Sequence, residues 1–301
     1  MKAVLLNDYG DADKLALGEV PDPRPGPGEV LVRVVAASIN PVDWKLRSGV
    51  LRSWMPLDLP AILGRDASGE VLEVGSGVSG IAPGDRMLGL VQHAYAERVV
   101  APAEAWAHIP QGLDLREAAA LPLVVLTGAQ LIEEAVNPAP GQTVLVTGAI
   151  GGVGRAAVYA ARLAGARVLA GVRTRQKVEA AALGAAGVVA IDSAEEIAAL
   201  PTLHAIADTV GGESAARLVP KVKPGGVVGS VAGEPRGARE RGLVVRPMRT
   251  HPDSRRLREL AEAVARGELR IPVSRRFPLA QAGEAQRLAE RGGLGKVLLI
   301  P

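Results

Sequence analysis

The residues that carry the most chemistry lie in the run Gln142-Thr143-Val144-Leu145-Val146-Thr147-Gly148-Ala149-Ile150-Gly151-Gly152-Val153-Gly154, where an apolar stretch gives way to glycines and then to an alanine-rich segment. The pattern reads as strand, phosphate loop and helix. Gly148 permits a tight exit from the strand, Gly151 lets backbone N–H groups approach a pyrophosphate, and Gly154 lets the helix pack closely on the sheet. The helix N-terminus adds the positive end of a dipole. An ordinary tight turn would use the same glycines, so the neighbours decide. In dinucleotide folds an acidic residue roughly 20 positions on receives the ribose hydroxyls in NAD-binding proteins. Here Arg167-Val168-Leu169-Ala170-Gly171-Val172 ends in Arg173-Thr174-Arg175-Gln176-Lys177, and the sequence offers no carboxylate there. Cations and a hydroxyl at a strand end suit a 2′-phosphate, which points to NADPH. The plainer alternative, a solvated basic helix start, is disfavoured by the helix dipole.

Composition narrows the remaining chemistry. There is no cysteine, which removes disulfides, thiol nucleophiles, iron–sulfur clusters and cysteine-containing zinc sites. His93, His108, His204 and His251 show no metal-ligand spacing, so no metal site is expected; His93 stands apart because it precedes Tyr95. With three Trp, three Tyr and one Phe in 301 residues the core must be aliphatic, and base stacking on aromatic platforms is not expected. A net charge of +3 comes with basic residues spread along the chain and no nucleic-acid-binding module, so no nucleic-acid partner is expected. The first residues are too briefly apolar for a signal peptide, and no segment reaches the length of a membrane span. The expectation is a soluble cytoplasmic protein with no membrane partner.

Those chemical groups need elements to hold them. Residues 1–115 read as short strands between Gly and Pro, among them Glu29 to Val35, Glu70 to Gly75, Met87 to Leu90 and Ala94 to Val100. From Leu115 the texture turns helical, with Pro122 interrupting and Thr127 to Ala135 resuming. Strands at Thr143 to Thr147, Val168 to Val172, Val188 to Asp192, Ala205 to Val210, Val227 to Val231 and Leu243 to Pro247 mostly alternate with helices, which predicts a parallel doubly wound sheet. A helix from Ser254 to Arg266, with Leu257, Leu260, Ala261 and Val264 on one stripe, is expected to close this nucleotide domain at residue 267. Residues 268–301, with helix Leu279 to Arg291 and strand Lys296 to Ile300, turn β-rich again and return to the first domain. The fold class is α/β.

With these residues in place the chain resembles the medium-chain dehydrogenase/reductase superfamily, and within it the zinc-free quinone oxidoreductase and alkenal/enone reductase group. The resemblance covers essentially the whole chain. It rests on Ala37-Ser38-Ile39-Asn40-Pro41-Val42-Asp43-Trp44-Lys45, on Leu63-Gly64-Arg65-Asp66 through Gly84-Asp85-Arg86, on Ala94-Tyr95-Ala96-Glu97, on Leu121-Pro122 to Thr127, on the glycine loop and on Gly295-Lys296-Val297-Leu298-Leu299. It implies a GroES-like substrate domain built from residues 1–115 and 268–301, a Rossmann NADPH-binding domain over 116–267, and an active site in the cleft between them. It also implies a homodimer that pairs strand Leu243 to Pro247 with its copy. Zinc-dependent relatives carry a Cys near position 40 and Gly-His-Glu where this chain has Gly64-Arg65-Asp66, so the resemblance implies chemistry without zinc.

The implied reaction sends a hydride to a quinone, or to the β-carbon of a C=C conjugated to a carbonyl. Asn40 matches the family's active-site Asn and would contact nicotinamide or substrate carbonyl; as a plain alternative it is a turn former before Pro41. Lys45 has two readings, enolate stabilisation or pairing with Asp43. Tyr95 either donates to substrate or is packed. Cofactor contacts are expected from Thr127, from Gly148, Ala149, Ile150, Gly151, Gly152, Val153 and Gly154, from Arg173, Thr174, Arg175 and Lys177, from Val210, Ala232 and Gly233 at strand ends, and from Arg291. Tyr159 and Ile191 depart from the residues usual in parts of the group. The short-chain dehydrogenase alternative fails because it needs Lys four residues after a Tyr, and Tyr9, Tyr95 and Tyr159 are followed there by Asp13, Val99 and Leu163. A non-enzymatic NADPH-binding sensor on the same fold is the other alternative.

Overall fold

The run from Val30 to Ala37 is apolar except for Arg33, and the strand Glu29–Ser38 that contains it is long enough to be shared by three neighbours. A computed structural model describes residues 1–293 and 295–301. In chain order the first elements are β1 (Lys2–Leu6), β2 (Leu15–Glu19), β3 (Glu29–Ser38), α1 (Pro41–Arg47), β4 (Ala61–Ile62), β5 (Asp66–Val74), β6 (Arg86–Leu90), β7 (Arg98–Pro102), β8 (Trp106–His108) and α2 (Pro122–Gln130). Then follow β9 (Thr143–Thr147), α3 (Gly152–Leu163), β10 (Arg167–Val172), α4 (Lys177–Ala180), β11 (Gly187–Ala190), α5 (Ala194–Ala198), β12 (Leu203–Asp208), α6 (Gly212–Ala216), β13 (Val222–Ser230) and β14 (Val244–Pro247). The chain ends with α7 (Ser254–Ala265), β15 (Val273–Pro278), α8 (Ala282–Glu290) and β16 (Lys296–Ile300).

The contacts divide the chain into two units, 1–123 with 252–301, and 124–251. In the first unit β3 pairs along one edge with β5 and along the other with β7 and then β16, in a sheet ordered β15-β16-β3-β5-β6-β8; β2-β1-β4 form a smaller sheet. The register Leu298↔Ser38 and Leu299↔Ala37 stitches the end of the chain to the end of β3. Val30, Val32, Val34, Leu63, Met87 and Trp106 are buried in its core.

In the second unit the order is β11-β10-β9-β12-β13-β14, all parallel, so the winding reverses between β9 and β12, where doubly wound folds take ligands. Val144, Leu145 and Val146 of central β9 are wholly buried, each such aliphatic side chain contributing about 1.5–3 kcal/mol. This is the GroES-like and Rossmann-like α/β architecture that the family resemblance implies.

Three expectations are corrected. The helix Ser254–Ala265 belongs to the first unit, because its apolar stripe of Leu257, Leu260, Ala261 and Ala263 is buried there and packs beside β8. Pro122 does not interrupt a helix; it begins one, since a missing N–H costs nothing in the first turn. Ala94 and Tyr95 precede strand β7 instead of belonging to it, with only an isolated bridge between Ala3 and Ala96.

The glycine loop has little room to spare. A Cβ on Gly154 would lie 2.1 Å from the carbonyl oxygen of Gly148 and 2.7 Å from Ala149 Cα. Gly154→Ala is therefore expected to lose about 1–3 kcal/mol in urea unfolding through overpacking, against the roughly 1 kcal/mol that Ala gains at an open helical position. An unchanged unfolding midpoint would mean that loop and helix do not pack in this way.

Candidate functional site

The candidate residues fall in both units, and each set is held by its own surroundings. In the first unit β3 ends at Ser38 and α1 starts at Pro41, leaving Asn40 as the residue before the helix, its N–H donating to Asp43 Oδ2 at 2.8 Å. Asn40 is wholly buried and its side-chain amide is engaged at both ends. Nδ2 donates to Asp66 Oδ2 at 2.7 Å, and Oδ1 accepts from Lys296 Nζ at 2.6 Å. Asp66 also accepts from Ser38 Oγ at 2.6 Å and, on its other oxygen, from Leu123 N–H at 2.7 Å. Lys296 Nζ further donates to Ile39 O at 3.1 Å and reaches Asp66 Oδ2 at 3.4 Å. Three acceptors for three hydrogens describe an ammonium, even though burial pulls its pKa below the ordinary lysine value. Asn40 keeps one amide hydrogen outside this set.

Tyr95 is wholly buried, and its hydroxyl donates to Asp43 Oδ2 at 2.9 Å, so the packed reading of this residue describes its surroundings. Burial pushes the phenol well above its ordinary value. Asp43 Oδ1 is buried with no partner. Burial raises the Asp43 pKa to about 6, against the opposing hydrogen bonds from Asn40 and Tyr95. Lys45 is exposed while Asp43 faces inward, so the two do not pair. Arg291 is exposed at the end of α8, in the first unit.

Beside α1 the first unit has a cavity of about 230 Å³, lined in part by Leu46, Met55, Leu57, Ile62, Arg65 and His93. His93, singled out from its position, stands at this rim with φ 61°, its ring Nδ1 2.9 Å from Ile62 O.

In the second unit Gly148 takes φ 60°, and α3 begins after Gly151. Arg155 N–H, bonded to Gly151 O at 2.8 Å, closes the first full turn, so the N–H groups of Gly152, Val153 and Gly154 lie ahead of the helical ladder. The Arg155 guanidinium, which sequence reasoning missed, holds Ile150 O through Nε at 2.8 Å and pairs with Glu179. Wholly buried Asp208 gathers the adjoining strand ends: it accepts from Thr147 Oγ1 at 2.8 Å, Ser230 Oγ at 2.9 Å, Val210 N–H at 3.2 Å and Gly211 N–H at 3.1 Å. Val210, Ala232 and Gly233 are exposed beyond these ends, whereas Ala149 is buried. Thr127 is buried, with its hydroxyl 2.6 Å from that of Thr250.

The basic edge differs from its sequence reading. Asp192, two residues past β11, accepts from both the N–H and the hydroxyl of Thr174 at 2.8 Å, and these bonds hold its pKa below the ordinary range. Lys177 Nζ donates to Glu196 Oε1 at 2.7 Å. Carboxylates are thus present at this edge, supplied by the next strand instead of the one scanned. Arg173 and Arg175 remain exposed, with no hydrogen-bonded carboxylate among the described residues.

Comparison with known proteins agrees with this architecture. Residues 26–111 match the alcohol dehydrogenase GroES-like domain, and 183–299 match the zinc-binding dehydrogenase family. The chloroplast envelope quinone oxidoreductase homolog of Arabidopsis thaliana is 31% identical over 100% of this chain and 98% of its own length. The chain belongs to the medium-chain dehydrogenase/reductase family. It is an oxidoreductase of that family. The 2-haloacrylate reductase of a Burkholderia species is 29% identical over 99% of this chain and 98% of its own length. Escherichia coli quinone oxidoreductase, solved as a complex with NADPH, has TM-score 0.85 and 26% identity, with 100% of each chain covered. No helix among the described residues is long and apolar enough to cross a membrane.

Asp43 gives this site a measurable pH signature. Its acid form is the one the fold favours, so its contribution to stability is full below pH 3.8 and is lost as pH rises through about 6. The loss is on the order of 3 kcal/mol. The unfolding free energy of wild type minus that of Asp43→Asn, measured by denaturant titration from pH 4 to 8, is expected to fall by that amount. A pH-independent difference is the contrary result.

Proposed function

We propose that the chain is an NADPH-dependent, zinc-independent reductase of quinones or of the C=C of α,β-unsaturated carbonyl compounds. The observation that carries this reading is the glycine loop: a side-chain-free turn at Gly148, an exposed Gly151 and unladdered N–H groups at 152–154, at the reversal of a parallel sheet. Such a turn fits a pyrophosphate. Thr127, Val210, Ala232 and Gly233, with Arg291, are proposed as further cofactor contacts, and exposed Arg173 and Arg175 as the groups for a 2′-phosphate. When bound, the reduced nicotinamide supplies the hydride for the acceptor's electron-poor carbon; the balancing proton comes from solvent or a side chain.

Zinc does not suit the donor set at the corresponding positions. Asp66 has its oxygens occupied by Ser38, Asn40 and the N–H of Leu123, and the Lys296 ammonium would repel a divalent cation. Arg65 is no ligand, and the chain has no thiolate. Asn40, oriented by Lys296 and Asp66, is proposed to offer its remaining amide hydrogen to acceptor or nicotinamide, and exposed Lys45 to stabilise developing negative charge. Tyr95, through Asp43, positions the start of α1. The edge strand Val244–Pro247, paired on one side by β13, supports the homodimer reading.

Two measurements test this reading. Arg173→Ala combined with Arg175→Ala is expected to weaken NADPH binding roughly a hundredfold while changing NADH binding only about threefold; equal losses would remove the phosphate assignment. Stopped-flow oxidation of NADPH by 1,4-benzoquinone and by enals is expected to proceed at the same rate after dialysis against chelator. Tight cofactor binding without acceptor-dependent oxidation would instead describe a sensor, and chelator-sensitive turnover would contradict zinc independence.

A further inference from the structure

The cavity of the first unit has apolar walls from Leu46, Met55, Leu57 and Ile62, and Arg65 is the one arginine or lysine among its lining residues. Among the described residues, no aspartate or glutamate lines it. Several arginines elsewhere in this unit are matched, as in Arg33 with Glu70, Arg98 with Asp22 and Arg276 with Glu117. Arg65 is different: its guanidinium makes no hydrogen bond or ion pair among the described residues, and its Nε is buried without a partner. A buried donor left without an acceptor is costly, the more so when the group is charged. An acceptor arriving from outside the chain would offset that cost.

The lining adds a second polar group, His93. His93 has φ 61°, a left-handed backbone conformation that a residue with a Cβ adopts at a cost. Its Nδ1 lies 2.9 Å from the carbonyl oxygen of Ile62. A carbonyl only accepts, so Nδ1 carries the hydrogen and Nε2 stays available. Cavity size sets the ligand's bulk: an apolar cavity of about 150 Å³ holds benzene, so one of about 230 Å³ takes a body of similar size with a polar head attached.

We propose that this cavity binds a small unsaturated monocarboxylate. Its apolar body lies against Met55, Leu57 and Ile62, and its carboxylate on the Arg65 guanidinium, whose planar fork matches two carboxylate oxygens. Arg65 is then the residue that selects anionic acceptors over neutral ones. That the bound acid is also reduced rests on the reductase reading above; the binding does not.

The test is calorimetric titration of the full-length protein with trans-2-hexenoate and with its neutral, nearly isosteric amide, trans-2-hexenamide. The acid is expected to bind at least about tenfold more tightly than the amide. Arg65→Met is expected to bring the two affinities together, Arg65→Lys to keep part of the preference, and Met55→Trp to weaken both ligands by filling the cavity. Equal affinities in the wild type, or a preference that survives Arg65→Met, would overturn the proposal. The wild-type comparison decides even where a variant fails to fold, which thermal melting reports. The two readings also fail separately: oxidation of NADPH by 1,4-benzoquinone with equal acid and amide affinities removes the carboxylate site alone, and selective acid binding without oxidation by any acceptor removes the reductase reading alone.

Discussion

One buried carboxylate holds the first unit together. Asp66 opens β5 and receives donors from the end of β3, the turn before α1, the start of α2 and the first residue of β16. Removing a carboxylate from water is expensive, and several donors, here including one charged group, offset that cost. Segments far apart in sequence must therefore arrive together for Asp66 to be stable. The Lys296 ammonium is both the counter-charge and the group that fixes the direction of the Asn40 amide, so charge balance and orientation have the same origin.

Asp43 is the exception within that cluster. One ammonium faces two carboxylates, and Asp66 takes its nearer contact, so Asp43 depends on Tyr95 and the N–H of Asn40 and is pushed toward its acid form by burial. The second unit solves a similar problem without a cation. Asp208 is satisfied by two hydroxyls from neighbouring strand ends and two backbone N–H groups from the loop after its own strand, which sets the positions of Thr147 and Ser230 at the reversal of the sheet.

Much of this was legible in the sequence where the signal was local. The run from Thr143 to Gly154 combines an uninterrupted apolar strand with glycines at fixed spacing, and both strand and loop follow from short-range sterics. The boundaries that moved were decided by distant partners. Ser254–Ala265 is amphipathic wherever it packs, and nothing in its stripe says which unit supplies the other half of the contact. Asp192 could not be found by scanning the end of β10, because parallel pairing brings the neighbouring strand's exit to the same edge from about 20 residues away.

By itself the sequence determined the classes: a β-rich unit, a parallel α/β unit, a glycine-rich turn between strand and helix and the absence of thiol chemistry, all consequences of periodicity, glycine sterics and composition. Only the tertiary structure decided which polar groups are spent on one another and which remain open. Asn40, Tyr95, Thr174 and Lys177 are equally polar on paper, yet each is already engaged by a distant partner, whereas Arg65, Arg173 and Arg175 have no hydrogen-bonded partner for their side chains among the described residues. A hydrogen bond is a property of two positions in space, and one-dimensional spacing fixes only one of them.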